Sequence, residues 1–323
     1  MAKEPKITDY LFETNAFQHL EKPVILTSGE IGIYYCNTEK LCQDGGEFEK
    51  YGDYAITVEE NGEIKKGMRE HAIMLYNKND IFKQVVDVLA EKVDSKFKEM
   101  QPLIKDESLD KAVSGGQRRD WLFSFPVAHV LGIGHIAIYK DMRMQFTDPA
   151  INGEELICTE GMPDEIPLGD QYVIHVADLL TEGSSARNIW IPSLRRTGAK
   201  IDYMLNVVTR KQGGEESLMA IQPHVVAESL ASINSEFIMD GKGTNEQKKQ
   251  AIEYIKNPGA WGERYIAEQG IDAFVKFFDP NAGKTDRASK FLDRYGNVLE
   301  KTGRLDDLDE KVHKSYNIRI MKN

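Results

Sequence analysis

The chain has 323 residues, with 41 lysines and arginines against 52 aspartates and glutamates, which gives a formal net charge of −11. Hydrophobic residues make up 41% and charged residues 29% of the chain, which is typical of a globular protein with room for about two domains. An acidic chain is a poor general binder of nucleic acids, because phosphate backbones are held by clustered lysine and arginine. A small anionic ligand is still compatible with this charge, because local dipoles and a few cations can hold it.

The three cysteines, Cys36, Cys42 and Cys158, are odd in number and lack metal-ligand spacing, which predicts reduced thiols and a cytoplasmic protein. The N-terminus leads into no apolar run of signal length, and no stretch approaches the ~20 apolar residues that a membrane span requires. The seven histidines form no closely spaced pair typical of a metal site. We therefore expect no nucleic-acid partner and no membrane partner.

The first part of the chain predicts short strands and amphipathic helices. Pro23–Leu26 and Ile33–Cys36 are apolar and flank a glycine-containing bend, which is typical of a hairpin. Residues 43–70 are polar and rich in glycine and glutamate, so we expect a loop or a small hairpin there. The next predicted elements are a helix over Asp80–Phe97, a strand over Lys111–Ser114, a helix over Trp121–Leu131 with Pro126 near its first turn, and a strand over Ile136–Tyr139.

The clearest unit lies between residues 172 and 208. A strand is predicted over Tyr172–Val176, a turn over 177–185, a helix over Ala186–Thr197 that Gly198 ends, and a second strand over Ile201–Val208. Pro192 must be accommodated within that helix or move its start. Strand, helix and strand in this order predict a βαβ unit, and therefore a parallel sheet with a right-handed crossover.

Beyond about residue 240 the pattern becomes helical. Gly241-Lys242-Gly243 predicts a linker, after which Thr244 can cap a helix over Asn245–Asn257 that Pro258-Gly259 ends. Further helices are predicted over Trp261–Phe278, Asp286–Lys301 and Asp306–Lys314. We therefore expect an α/β domain over residues 1–240 and a helical C-terminal extension over residues 241–323.

The turn between the strand and the helix of the βαβ unit has the features of an anion site. A helix N-terminus presents backbone N–H groups there, and Gly183 permits a close approach of the backbone to a ligand. Thr181, Ser184 and Ser185 add hydroxyl donors, and Asp178 can accept hydrogen bonds from sugar hydroxyls at the carboxyl end of the strand. The alternative is an ordinary strand–helix connection that Ser184 or Ser185 caps.

This segment, Val176–Ala186, resembles the phosphoribosyl diphosphate (PRPP) motif of the type I phosphoribosyltransferase family, in which two acidic residues precede a Thr-x-Gly-Thr/Ser phosphate loop. Three other segments in the same chain order, at residues 27–35, 126–141 and 209–215, are similar to the orotate branch of that family. The resemblance covers roughly residues 15–240. It implies a parallel α/β sheet flanked by helices with a small hood, binding of PRPP and a nucleobase, use of Mg²⁺, and a homodimer.

The resemblance also implies roles for individual residues. The phosphate of PRPP would lie at Thr181, Glu182, Gly183, Ser184 and Ser185, with the Glu182 side chain turned to solvent. Asp178 would hold the ribose hydroxyls and help to organise Mg²⁺, while Lys140 and Arg143 would belong to a mobile catalytic loop that stabilises the leaving diphosphate. The nucleobase would be bound by Tyr35, Cys36, Thr181 and Arg210.

The leaving diphosphate requires cations and close backbone donors. Gly115 and Gly116 follow a predicted strand and offer such a backbone, and Arg118 or Arg119 offers a guanidinium that binds phosphate oxygens bidentately. The alternative is that the two arginines are solvated on a loop.

Two departures from the family pattern leave two functions open. Ala177 occupies the first acidic position, and two of the four cationic loop positions are Tyr139 and Gln145. The first hypothesis is a phosphoribosyltransferase that joins a nucleobase to PRPP with inversion at the ribose C1 and release of diphosphate. The second is a regulatory protein of the same fold that binds PRPP or a nucleotide with weak catalysis or none.

Overall fold

The structure is a computed structural model that describes residues 6–43, 45–51, 53–100, 111–148, 158–283 and 285–320. It divides into two compact units: the described parts of Met1–Ala16 and Asn37–Ile233 form the first, and Phe17–Cys36 with the described part of Asn234–Asn323 forms the second. The predicted division at residue 240 differs from this one, because the second unit begins at Asn234 and also includes an N-terminal segment. Among the described helices, none combines the length and the apolar character that crossing a bilayer requires.

The first unit is built on a seven-stranded sheet. Its strands are β5 (Lys111–Gly116), β6 (Gly134–Ile138), β7 (Met144–Thr147), β8 (Cys158–Gly161), β9 (Tyr172–Leu180), β10 (Lys200–Thr209) and β11 (Val226–Ser232). Their order across the sheet is β11-β10-β9-β5-β6-β7-β8. The pairs from β11 to β6 are parallel, whereas β7 and β8 extend the sheet antiparallel. A mostly parallel sheet with helices on its faces confirms the predicted α/β class.

The predicted βαβ unit is confirmed, although its boundaries differ from those expected. Strand β9 runs four residues further than predicted, so Ala177 and Asp178 lie within the strand rather than in the turn. The helix that follows begins at Ser184 and contains a π-helical turn over Ala186–Trp190 before α5 (Ile191–Arg196). Pro192 lacks an N–H group, and this wider turn, in which the Ile191 N–H donates to the Ala186 carbonyl, brings the chain past it.

Helices, a small hairpin and short 3₁₀ turns complete the first unit. They are α1 (Ile7–Glu13), the hairpin β3 (Val58–Glu60) and β4 (Glu63–Lys65), α2 (Met68–Lys78), α3 (Asp80–Met100), α4 (Arg119–Leu131) and α6 (Gly214–Ile221), together with 3₁₀ turns at Thr38–Cys42, Glu47–Lys50 and Pro163–Glu165. The expectation that Pro126 lies near a helix start was wrong, because α4 begins at Arg119 and Pro126 is in its interior. The polar region at 43–70 contains the small hairpin that was one of its two predicted forms.

The second unit combines an antiparallel hairpin with the C-terminal helices. The hairpin consists of β1 (Phe17–Ile25) and β2 (Ile31–Cys36), and the helices are α7 (Ser235–Asp240), α8 (Asn245–Lys256), α9 (Pro258–Gln269), α10 (Thr285–Lys301) and α11 (Arg304–Tyr316), with 3₁₀ turns at Val275–Phe278 and Pro280–Ala282. Edge-to-face aromatic pairs join the hairpin to the helices, with ring centroids 4.9 Å apart for Phe17 and Phe237 and 5.6 Å apart for Tyr34 and Tyr254.

The helix boundaries of this second unit were predicted in part. The Thr244 hydroxyl accepts the Gln247 N–H at 3.2 Å, which confirms the predicted cap of α8. Helix α8 ends at Lys256, just before Pro258 and Gly259 as predicted, and the same two residues also begin α9. Proline suits the first position of a helix, because the N–H group that it lacks would have no partner there.

Candidate functional site

Strand β9 leads directly into the turn at Thr181–Ser185, which the sequence predicts as a phosphate site and which is referred to as the phosphate turn. Gly183 has a φ of +70°, a left-handed conformation that glycine adopts without steric cost, and its carbonyl accepts the Arg187 N–H at 2.9 Å. The N–H groups of Ser184 and Ser185 precede this first helical hydrogen bond, so they have no partner within the helix. Both serine side chains are exposed, and so is Glu182, as expected for that carboxylate. The turn therefore presents hydroxyl and backbone donors to solvent.

A second turn, between β10 and α6, holds the phosphate turn in place. The Arg210 N–H donates to the Leu180 carbonyl at 2.9 Å. Gly214 lies so close to the phosphate turn that a Cβ atom added there would collide with the Thr181 carbonyl oxygen. The segment at residues 209–215 thus packs against the phosphate turn and supports its backbone.

Gly214→Ala is therefore expected to displace the Thr181 backbone. We expect a loss of about 1–3 kcal/mol in the free energy of unfolding, as for overpacking of a tight contact, and a lower affinity for any phosphate ligand of the turn. Gly296→Ala is a suitable control, because Gly296 lies in α10 with open space around its Cα and should gain up to about 1 kcal/mol in helix stability. Urea unfolding with ligand titration would test both, and an unchanged Gly214→Ala variant would contradict the supporting role.

Asp178 lies at the carboxyl end of β9, with only 8% of its surface exposed. Its Oδ2 accepts the Thr38 hydroxyl at 2.9 Å, and its backbone N–H donates to Oδ1 of Asp120 at 3.0 Å. Burial, together with the charge of Asp120, raises the pKa of Asp178 to about 7. Ala177, which occupies the first acidic position of the PRPP motif, packs in the hydrophobic core.

The segment predicted to hold the diphosphate begins within β5, because this strand runs two residues further than predicted and ends at Gly116. Gly115 and Gly116 leave no room for a side chain, because a Cβ atom would collide with Ser124 and Trp190 respectively. Close packing thus explains both glycines without a ligand. The Arg119 guanidinium is paired with Glu39, a side chain for which the sequence offered no signal. Of the two candidate cations, Arg119 is thus paired with a carboxylate, and Arg118 is half-buried in the turn before α4.

Lys140 and Arg143 lie on a tight turn between β6 and β7, where a mobile catalytic loop was expected. The turn is closed by the Tyr139 N–H, which donates to the Arg143 carbonyl at 2.8 Å. Arg143 forms ion pairs of 2.9 Å with both Asp141 and Glu160, whereas the Lys140 side chain is exposed. The connection between β7 and β8 at residues 149–157 lies outside the described residues. Of the two predicted loop cations, Arg143 is thus compensated by carboxylates.

The residues predicted to bind the nucleobase are divided between the two units. Arg210 is 7% exposed and follows the last residue of β10, beside Thr181 of the phosphate turn in the first unit. Tyr35 and Cys36 lie on β2 of the second unit, where the Tyr35 side chain is exposed and Cys36 is buried. Their joint role in a base site stays a prediction.

The described residues contain no group of three or more acidic, histidine or cysteine side chains that could hold a metal ion. Both oxygens of Asp120 accept backbone N–H groups, from Gly116 at 3.2 Å and from Asp178 at 3.0 Å. Asp178 accepts the Thr38 hydroxyl, so few carboxylate oxygens remain for a cation that prefers six oxygen ligands. These residues do not fit a resident magnesium site. A Mg²⁺ ion would have to be held mainly by oxygen atoms of the phosphate ligand that it accompanies.

Sequence comparisons find no family whose profile matches the chain and no curated protein that matches it. Solved structures similar to it include a UMP synthase, an orotate phosphoribosyltransferase and an adenine phosphoribosyltransferase. UMP synthase from Leishmania donovani is 12% identical over 77% of this chain with a TM-score of 0.45, and this chain covers 41% of its length. Orotate phosphoribosyltransferase from Aeropyrum pernix is 17% identical over 72% of this chain and 97% of that one, with a TM-score of 0.42.

The third is adenine phosphoribosyltransferase from Thermoanaerobacter pseudethanolicus, which is 17% identical over 58% of this chain and 99% of that one, with a TM-score of 0.35. At these identities and TM-scores, substrate and activity have to be argued from the residues of the site themselves. The mostly parallel sheet and the chain order of the four motif segments are the features in which this protein resembles type I phosphoribosyltransferases.

Proposed function

We propose that the chain binds PRPP at the turn after β9 and transfers its phosphoribosyl group to a nucleobase, releasing diphosphate. The observation that carries this proposal is the turn itself, in which Gly183, Ser184 and Ser185 present hydroxyl and backbone donors at the carboxyl edge of the sheet. The turn begins directly after Leu180, the last residue of β9, two residues beyond Asp178. The 5-phosphate would take the donors of the turn. Asp178, once it has lost its proton, would accept the ribose hydroxyls.

In this reaction a ring nitrogen of the base bonds to the ribose C1 as the bond from C1 to the diphosphate oxygen breaks. The configuration at C1 inverts, the base nitrogen loses its proton, and the diphosphate carries away the electron pair. No covalent intermediate with the protein is required, so positioning of the two reactants supplies most of the rate. Mg²⁺ would enter with PRPP as part of the substrate. Gly115, Gly116, Arg118 and Arg119 would lie along the diphosphate, and Arg210 beside the base.

A second function is favoured by specific contacts of the site. Arg143 is paired with two carboxylates, Arg119 is paired with Glu39, and Ala177 is buried in the core. A site in which two of the predicted cations are already paired with carboxylates would stabilise a departing diphosphate less well. The same turn could then serve a protein that binds PRPP or a nucleotide without efficient transfer.

One experiment separates these two functions. Calorimetric titration with PRPP and Mg²⁺ measures binding, and a diphosphate-release assay over a panel of purine and pyrimidine bases measures transfer. Binding with release for one base supports the transferase, and binding without release for any base supports the regulatory protein. Absence of binding to PRPP and to nucleotides would refute both. The homodimer and the cytoplasmic location stay predictions, and sedimentation equilibrium would test the former.

A further inference from the structure

A single carboxylate lies where two neighbouring strands of the sheet separate. Strands β5 and β9 are paired from Lys111 with Tyr172 as far as Ser114 with His175, and the pairing ends there. Beyond this point the N–H of Gly116 donates to Oδ2 of Asp120 at 3.2 Å, and the N–H of Asp178 donates to Oδ1 of the same side chain at 3.0 Å. Asp120 thus joins two strand ends whose mutual pairing has ended.

The position of Asp120 makes it a rigid link. It is 8% exposed and occupies the first turn of α4, where the helix dipole favours a negative charge. On its inner side Oδ2 is 3.7 Å from Nε2 of His175, whose Nδ1 is 3.0 Å from the Ser114 hydroxyl. Asp178, whose N–H donates to Asp120, itself accepts the Thr38 hydroxyl through its side chain. The two strand ends are therefore fixed by one buried polar chain.

We propose that Asp120 is a positioning residue that sets the distance between Gly116, in the segment predicted to hold the diphosphate, and Asp178, which is predicted to bind the ribose. This inference rests on the proposed binding of PRPP. A ligand that reaches from Asp178 to the Gly116 segment through its diphosphate depends on the spacing of the two strand ends, whereas a ligand that reaches only the phosphate turn and Asp178 does not. Asp120 should therefore matter for PRPP far more than for ribose 5-phosphate.

Asp120→Asn is the sharpest test, because asparagine keeps the shape and one acceptor oxygen but cannot accept both N–H groups. In calorimetric titrations with Mg²⁺ we expect PRPP to bind at least 10-fold more weakly and ribose 5-phosphate to stay within 2-fold of the wild type. Asp164→Asn is the matched control, since Asp164 forms an exposed ion pair with Arg196 outside the site. Equal losses for the two ligands, or no loss for either, would overturn the proposal.

A measurement on the wild-type protein keeps the test independent of whether the variant folds. Amide hydrogen exchange followed by NMR should show that the N–H groups of Gly116 and Asp178 exchange at least 100-fold more slowly than that of Gly213, which lies in an exposed turn. Rapid exchange of both would refute the link. If the two amides are protected and the wild type binds neither sugar phosphate, the proposed function fails, and the assignment of Asp120 to PRPP positioning fails with it.

Discussion

Ser184→Asp is expected to lower the affinity for PRPP and for ribose 5-phosphate at least 100-fold. The Ser184 side chain is exposed at the first residue of the helix that follows the phosphate turn. A carboxylate there would repel a phosphate dianion and take the N–H donors that the ligand requires. The fold should survive, because aspartate is a good residue at a helix N-terminus. Calorimetric titration of both ligands measures the loss directly.

Ser235→Asp provides the matched control. Ser235 is the exposed first residue of α7 in the second unit, so the same substitution is made at another helix start. We expect it to leave both affinities within 2-fold of the wild type. If Ser184→Asp also left them unchanged, the phosphate would have to bind elsewhere, and the assignment of the turn would be wrong.

Asp178→Asn is expected to raise the free energy of unfolding above neutral pH. It should also weaken the binding of PRPP, because the carboxylate proposed to accept the ribose hydroxyls is lost. Burial and the neighbouring Asp120 charge raise the pKa of Asp178 from 3.8 to about 7. Between about pH 4 and pH 7 the native state therefore retains a proton that the unfolded chain releases, so stability falls as the pH rises through this range. Above pH 7 the ionised carboxylate costs up to about 4 kcal/mol, which asparagine avoids.

The measurement is urea unfolding of the wild type and the variant between pH 5 and pH 8. The variant should gain stability relative to the wild type as the pH rises, and a difference that is constant with pH would contradict the raised pKa. The comparison of two proteins matters, because burial lowers the pKa of His135 well below its usual range and so costs stability as the pH falls. Asp170→Asn, at an exposed ion pair with Lys200, should show no comparable trend.

Local patterns in the sequence were sufficient for much of the fold. The apolar runs at 172–176 and 201–208 predict β9 and β10. The segment between them has apolar residues at helical spacing and predicts α5, because strands and helices repeat with different periods. Thr244 predicts the start of α8 through a hydrogen bond that spans three residues. The turn at Thr181–Ser185 is likewise a contiguous motif, so its backbone conformation follows from Gly183 and its neighbours.

Features that depend on distant residues were not predicted. Asp120, which accepts the Asp178 N–H, lies at a helix start 58 residues from Asp178 in the chain. Thr38 is 140 residues from Asp178, and Glu39 is 80 residues from Arg119. No periodicity or spacing relates such positions, because only packing of the whole chain brings them together.

The acidic balance of −11 and the order of the motifs were properties of the sequence by itself, and they already favoured a small phosphate ligand over a nucleic acid. The tertiary structure decided how much positive charge remains for that ligand. It paired Arg119 with Glu39 and Arg143 with Asp141 and Glu160, and it placed Asp120 against Asp178. The net charge of a chain is a sum over its residues, so the sequence alone gives it. The electrostatic field at a site depends on the distances between charges and on their burial, which only folding sets.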